Sequence, residues 1–296
     1  MKLPLILRTG VLIASLLATS HLYAGDVDAS KETTSKQVVP PDETVPVVHP
    51  VSGPYFNEDS FITTDIRLWY AHQTLTNSPL GGGHATDLAL QLRVAILKNL
   101  QFVAYKDGWL DINTPGLKKN GWNNIAAGLK FAYLQNEAAR LNAAIGVGYE
   151  FASGYKFSLQ DYDELRLWTS VNKGIGKLNL GATFNYFAPL HNGSPLLGTA
   201  QRISWHLHAD YAVCQWFSPV FEINGYQVLA DNNKSPISGA DIANLGGNSG
   251  EPVITAAVGA EFRPVKHLAV RGAWEMPLND TKLFGNRVTC SAVITF

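Results

Sequence analysis

The last ten residues, Arg287-Val-Thr-Cys-Ser-Ala-Val-Ile-Thr-Phe296, constrain this chain more than any other stretch. With period two, Val288, Cys290, Ala292, Ile294 and Phe296 share one face, and Arg287, Thr289, Ser291 and Thr295 share the other, with Val293 as the exception. Such a strand separates an apolar solvent from a polar one. An edge strand of a water-soluble protein can alternate in the same way, but a large terminal aromatic residue would there fray into water.

Alternating runs of about ten residues recur upstream, the length a tilted strand needs to cross a bilayer. They fall at 61–73, 85–97, 100–109, 122–135, 139–152, 163–173, 177–188, 202–215, 219–229, 252–263, 266–276 and 286–296. The connections sort by length. Lys98-Asn99, Gln135–Ala138, Lys173–Gly176, Trp216–Ser218 and Arg263–Lys266 are short, whereas Leu75–His84, Asp111–Gly121, Ser153–Asp161, Pro189–Gln201 and Ala230–Glu251 are long and rich in Gly, Pro and Asn. Short turns on one side and long loops on the other are the mark of a periplasmic and an exterior end. The expected fold is all-β: a transmembrane, antiparallel, up-and-down β-barrel of about 12 strands over residues 58–296. Aromatic residues should form girdles at the headgroups, with Trp69, Tyr70, Trp109, Trp122, Tyr149, Phe151, Tyr186, Phe187 and Trp274 outside and Tyr133, Trp216, Phe217 and Phe296 toward the periplasm.

Composition conceals this architecture, because alternation dilutes the apolar residues: 46% of residues are hydrophobic and the mean hydropathy is −0.01. A formal net charge of −1 with no basic cluster excludes nucleic acid as a partner. The two cysteines, Cys214 and Cys290, lie on strands that are not neighbours and are expected as free thiols. At the other end, Lys2 and Arg8, the apolar stretch Val11–Leu17 and the small residues near Ala24 form an export signal, cleaved after 20 or 24. Residues 25–57, interrupted by Pro40, Pro41, Pro46, Pro50 and Pro54, are expected as a flexible, solvated periplasmic segment, with a plug threaded into the barrel or a tether to another envelope component as the other readings.

The C-terminal strand resembles the recognition strand of Gram-negative outer-membrane β-barrels, which typically closes on Phe. The resemblance implies that Phe296 is an assembly signal read by the outer-membrane assembly machinery, and that the barrel is embedded in outer-membrane lipid and lipopolysaccharide. Tyr105–Trp109, Gly121–Lys130, Gly148–Gly154 and Trp274–Leu278 are similar to segments of a group of outer-membrane transporter barrels. This likeness spans most of residues 60–296; it implies a transport-type role and transfers no binding residue.

Strand parity separates lipid contacts from the lumen. In Ile203–Tyr211 every polar residue, Ser204, His206, His208 and Asp210, lies on one face. The same rule turns Asp65, Arg67, Asp87, Arg93, Lys130, Glu150, Glu164, Arg166, Glu222, Glu261, Arg263, Arg271 and Glu275 inward, since Arg or Lys at the lipid midplane would cost about 2–4 kcal/mol. Both signs occur in near balance. Eight strands just fill their own interior; with about twelve, and with small inward residues such as Ala126, Gly128, Gly146 and Gly148, a narrow pore is expected. Glu261 and Arg271 should be diagonal neighbours across a three-residue turn, and Glu275 could face Arg287.

Reactive chemistry is sparse. His206, His208 and Asp210 share a face and could hold a metal, but no third clear ligand is placed beside them, so a polar lumen lining is the expectation and neither metal nor cofactor is assigned. A lipid hydrolase would need a Ser beside a His facing lipid, whereas Ser204 points with His206 into the lumen. The sequence therefore reads as a non-enzymatic barrel passing small polar solutes, with a closed structural or adhesive surface barrel as the first alternative and an outer-membrane lipid hydrolase as the second.

Overall fold

The structure is a computed structural model that describes residues 46–77, 81–158, 160–191, 198–232, 242 and 252–296. The expected export signal and residues 25–45 lie outside the described residues.

The strands are β1 (Asp65–Thr74), β2 (His84–Leu97), β3 (Leu100–Lys106), β4 (Trp109–Asn113), β5 (Lys118–Trp122), β6 (Ile125–Asn136) and β7 (Leu141–Phe151), then β8 (Glu164–Ile175), β9 (Leu178–Pro189), β10 (Thr199–Tyr211), β11 (Phe217–Asn232), β12 (Val253–Val265), β13 (Leu268–Pro277) and β14 (Asn286–Thr295). β3 with β4, and β5 with β6, are the halves of two interrupted staves, so the barrel has twelve. All pairings are antiparallel. In lipid every peptide group needs a protein partner, and the sheet meets this by closing: β1 pairs with β2 on one side and with β14 on the other, from Asp65↔Thr295 to Thr74↔Asn286. Phe296 continues the seam by donating its amide to the Thr64 carbonyl at 3.0 Å.

Alternation places apolar side chains outside. Leu68, Leu88, Leu90, Leu92, Ile145, Phe184, Phe221, Val258 and Ile294 are exposed to the surroundings, an inverted surface that suits lipid. Tyr70, Trp109, Trp122, Phe151, Trp274, Tyr133, Trp216 and Phe296 are also exposed. Trp69 and Phe187 differ from the girdle expectation: both are buried inside, because period-two parity outranks proximity to the headgroups. The expected long loop at Asp111–Gly121 is instead mostly strand. β4 and β5 pair from Trp109↔Trp122 to Asn113↔Lys118, extending the wall beyond the interruptions at 107–108 and 123–124.

The expectation of a solvated tail fails for residues 46–57. Residues 46–64 run into the lumen and back, and Val48, Val51, Tyr55 and Phe56 are buried there. The bend is at Gly53, whose φ of +59° glycine tolerates, and whose carbonyl accepts the Phe56 and Asn57 amides at 3.0 and 2.9 Å. Proline blocks regular structure but does not forbid burial if the remaining peptide groups find partners.

Candidate functional site: the occupied lumen

Those partners are wall side chains. Glu222 accepts the amides of Val51 and Ser52 at 2.9 and 2.6 Å, and Gln91 donates to the Pro54 carbonyl at 2.7 Å. Arg166 donates to the carbonyls of Tyr55 and Phe56, both at 2.9 Å, and Asn185 also reaches Phe56 at 2.9 Å. Thr183 donates to the Glu58 carbonyl at 2.6 Å, Asn172 accepts the Ser60 amide at 2.8 Å, and Arg271 donates to the His49 carbonyl at 2.9 Å. An irregular chain thus has much of its backbone satisfied by a polar wall, as burial demands.

Charge anchors the descending limb. Arg93 grips Glu58 with two nitrogens, Nε to Oε1 at 3.1 Å and Nη2 to Oε2 at 2.6 Å. Lys130 Nζ lies 3.0 Å from Glu58 Oε1, 3.0 Å from the Asp59 carbonyl and 3.5 Å from Asp59 Oδ1. Asp59 also meets His49 Nδ1 at 2.6 Å and Arg67 at 3.7 Å. Burial alone would raise the Glu58 carboxyl, which lies outside the spanning strands, but the Arg93 and Lys130 charges overcome this and hold it down at about 2.

The wall residues assigned to the lumen from sequence occupy these places. Asp65, Arg67, Asp87, Arg93, Lys130, Glu150, Glu164, Arg166, His206, His208, Asp210, Glu222, Glu261, Arg271 and Glu275 are buried inside the barrel, and Arg263 is half-buried at its end. Two inward cations, Lys106 and Arg202, escaped the sequence reading. Lys106 follows inward Tyr105 at a register shift between Ala104 and Lys106, where a bulge puts two consecutive residues on one side. Arg202 lies near the start of β10 beside a register shift between Gln201 and Arg202, where alternation does not separate lumen from rim, whereas Arg287, on the polar face of its strand in the sequence, is inside. Glu261 and Arg271 are direct register partners, 3.8 Å apart, and not diagonal ones; a register shift between Phe262 and Val265 accounts for the difference. Glu275 faces Arg287 at 2.6 Å.

The small inward residues do not leave a pore here. A Cβ on Gly146 would lie 2.1 Å from the Trp168 ring, and one on Gly148 would lie 2.7 Å from Tyr105, so these glycines make room for aromatic side chains. Between those rings sits Arg166, 4.6 Å from each centroid. Arg93 and Arg166 are each 1% exposed and Lys130 is 0% exposed, values that a water-filled lumen would not allow. A cavity lined by Pro50, Asn57, Arg67, Trp69 and Arg271 measures about 20 Å³, room for one water.

The histidines are built into this packing. His208 lies 2.6 Å from Glu222 and 3.1 Å from Asp210 through its two ring nitrogens, which occupies both and leaves neither for a metal. His206 lies 3.0 Å from Ser204 Oγ and 2.7 Å from Asn224 Oδ1, the spacing of nucleophile, base and orienting group. All three are 0% exposed, Asn185 also donates to Ser204 at 2.9 Å, and Gly53 of the inner segment lies against the imidazole. No substrate can approach this trio while the segment is seated.

Neither a protein-family model nor a curated protein matches the sequence. Among solved structures the chain is similar to the COG4313 outer membrane channel from Pseudomonas putida F1, with a TM-score of 0.59 and 15% identity, covering 84% of this chain and 100% of that one. It is also similar to the KdgM porin solved in complex with disordered oligogalacturonate, with a TM-score of 0.50 and 9% identity, covering 78% of this chain and 99% of that one. At these identities the likeness is one of fold: a porin-like β-barrel of the outer-membrane class.

Proposed function

We propose that the protein is an outer-membrane channel for small polar solutes, held shut by its own residues 46–64 and opened when that segment withdraws. The observation that carries this reading is how the lumen is filled. A twelve-stave barrel encloses more space than its wall side chains occupy, and here the excess is taken by a chain segment tethered to the wall at one end through β1. A barrel serving only as a scaffold or adhesive has no need of a polar wall facing a removable filling. Both fold neighbours are described as a channel or a porin, which supports the same class. Export to the outer membrane and assembly through the C-terminal strand belong to this proposal, as does the absence of an enzymatic role.

Liposome swelling tests it. Barrels lacking residues 46–60 should admit small neutral sugars rapidly and larger ones progressively less, while full-length barrels admit them slowly. Equal impermeability of the two forms would overturn the channel reading in favour of a closed scaffold.

A further inference from the structure

Most cations of the lumen wall have a carboxylate of the wall as partner. Lys106 pairs with Glu150 at 2.5 Å, Arg202 with Glu164 at 2.6 Å, Arg287 with Glu275 at 2.6 Å, Arg263 with Glu261 at 2.5 Å and Arg67 with Asp65 at 2.7 Å. Arg93 and Lys130 break this pattern. The wall offers Arg93 only Asp65 at 4.0 Å, and among the described residues it offers Lys130 no carboxylate within ion-pairing distance. Their close partners, Glu58 and Asp59, come from the inner segment. Arg166 is a third wall cation without a carboxylate partner among the described residues. It is bound to the carbonyls of Tyr55 and Phe56, and Phe56 is two residues from Glu58, so these groups lie within about 7 Å of backbone. Withdrawal of the segment therefore uncovers positive charge at one place in the lumen while leaving the other pairs intact.

We propose that Arg93 and Lys130 form the binding site of a small dicarboxylate solute, and that Glu58 and Asp59 occupy it in the shut state as stand-ins for that solute. The inference rests on the channel reading and names its solute class. An arginine gripping both oxygens of one carboxylate is the geometry that recognises a free carboxylate in a fixed orientation, and a lysine point charge beside it accepts a second. The Glu58 carboxylate touches both cations, and the Asp59 carboxylate reaches Lys130 at 3.5 Å and Arg67 at 3.7 Å, so a short molecule bearing two such groups meets the same requirement. Arg67, which approaches Asp59 at 3.7 Å while pairing with Asp65 at 2.7 Å, adds charge at the second position.

The test uses the full chain carrying Glu58→Ala and Asp59→Ala, which vacates the site, and reads the temperature at which the compact unheated form is lost on gels. Succinate is expected to raise that temperature in the double variant and to raise it far less in the wild type, where Glu58 and Asp59 compete for the site. Acetate should need a concentration about a hundredfold higher for the same shift, since two linked carboxylates gain from their effective concentration. Adding Lys130→Gln should abolish the succinate effect. In a planar bilayer the wild type gives a second, independent readout: succinate competes with Glu58 and Asp59 and should raise the open probability, whereas chloride at equal ionic strength should not. Acetate or inorganic phosphate matching succinate in both experiments would overturn the dicarboxylate site while leaving the channel intact. Thermal rescue by succinate in a barrel that never conducts would overturn the channel reading and leave an anion site.

Discussion

Glu58→Ala is expected to release the descending limb of the inner segment and convert a quiet barrel into one that conducts. The substitution removes the close carboxylate of two cations: among the described residues Lys130 keeps its Asp59 contacts, and Arg93 keeps Gln91 Oε1 at 3.3 Å and Asp65 at 4.0 Å. Removing one partner of a buried ion pair costs about 3–5 kcal/mol. The barrel itself is closed by backbone hydrogen bonds that do not involve Glu58, so the cost falls on docking of the segment, and admitting water to the lumen relieves it. Open-channel events and chymotrypsin cleavage within residues 46–64, which carry Tyr55, Phe56 and Phe61, should both increase by about 10² for a cost of roughly 3 kcal/mol. Acid should act in the same direction. The Glu58 carboxyl is depressed when docked, to about 2, so its contribution is complete above the ordinary carboxylate value and is lost as pH falls from there through about 2. Wild-type channels should therefore open more often at pH 3 than at pH 7, and the Glu58→Ala variant should show a weaker dependence. A variant as quiet and protease-resistant as the wild type would show that this pair does not hold the segment.

Arg287→Ala should destabilise the barrel itself by about 3–5 kcal/mol. Arg287 is fully buried and donates to Glu275 Oε2 from Nε at 3.0 Å and from Nη2 at 2.6 Å, and its guanidinium lies 4.5 Å from the Phe284 ring centroid. Both residues sit on neighbouring strands beside the closing seam, where the wall holds the pair whether or not the segment is seated. Arg263→Ala is the contrast. Its side chain is 20% exposed and Glu261 keeps Arg271 nearby, so a loss of about 0–1 kcal/mol is expected. Urea unfolding of the two variants, followed by the compact gel form, separates them. Equal midpoints would mean that the seam-side pair is hydrated.

The barrel was legible because a lipid-spanning strand must sort its side chains by face, and that sorting survives in the sequence as parity. His206, His208 and Asp210 could be placed on one face from three alternate positions alone. Lys106 could not, because a bulge adds a residue and reverses the count without leaving a compositional trace. The inner segment was less legible for a different reason. Its peptide groups are satisfied by side chains scattered over β2, β6, β8, β9 and β11, and such long-range pairing imposes no period on residues 46–64. What signal exists lies in composition. Tyr55-Phe56 followed by Glu58-Asp59 is apolar and charged in a way a solvated proline-rich tail does not require. The filling of the lumen depended on Trp168 and Tyr105 turning into the space left by Gly146 and Gly148, which alternation alone cannot distinguish from an open pore.

The presence of the chain's own segment within the lumen is tested most directly by a single reporter cysteine at Ser60, in a chain with Cys214→Ser and Cys290→Ser. Ser60 is 0% exposed, and its amide and hydroxyl donate to Asn172 Oδ1 at 2.8 and 2.7 Å. With Ser60→Cys in folded barrels in lipid, a bulky polyethylene-glycol maleimide should leave the thiol unmodified over a time in which the heat-unfolded chain is fully labelled. Adding Glu58→Ala should restore reactivity without loss of the compact gel form. Prompt labelling of the Ser60→Cys barrel with Glu58 intact would place the segment outside the lumen and contradict the account.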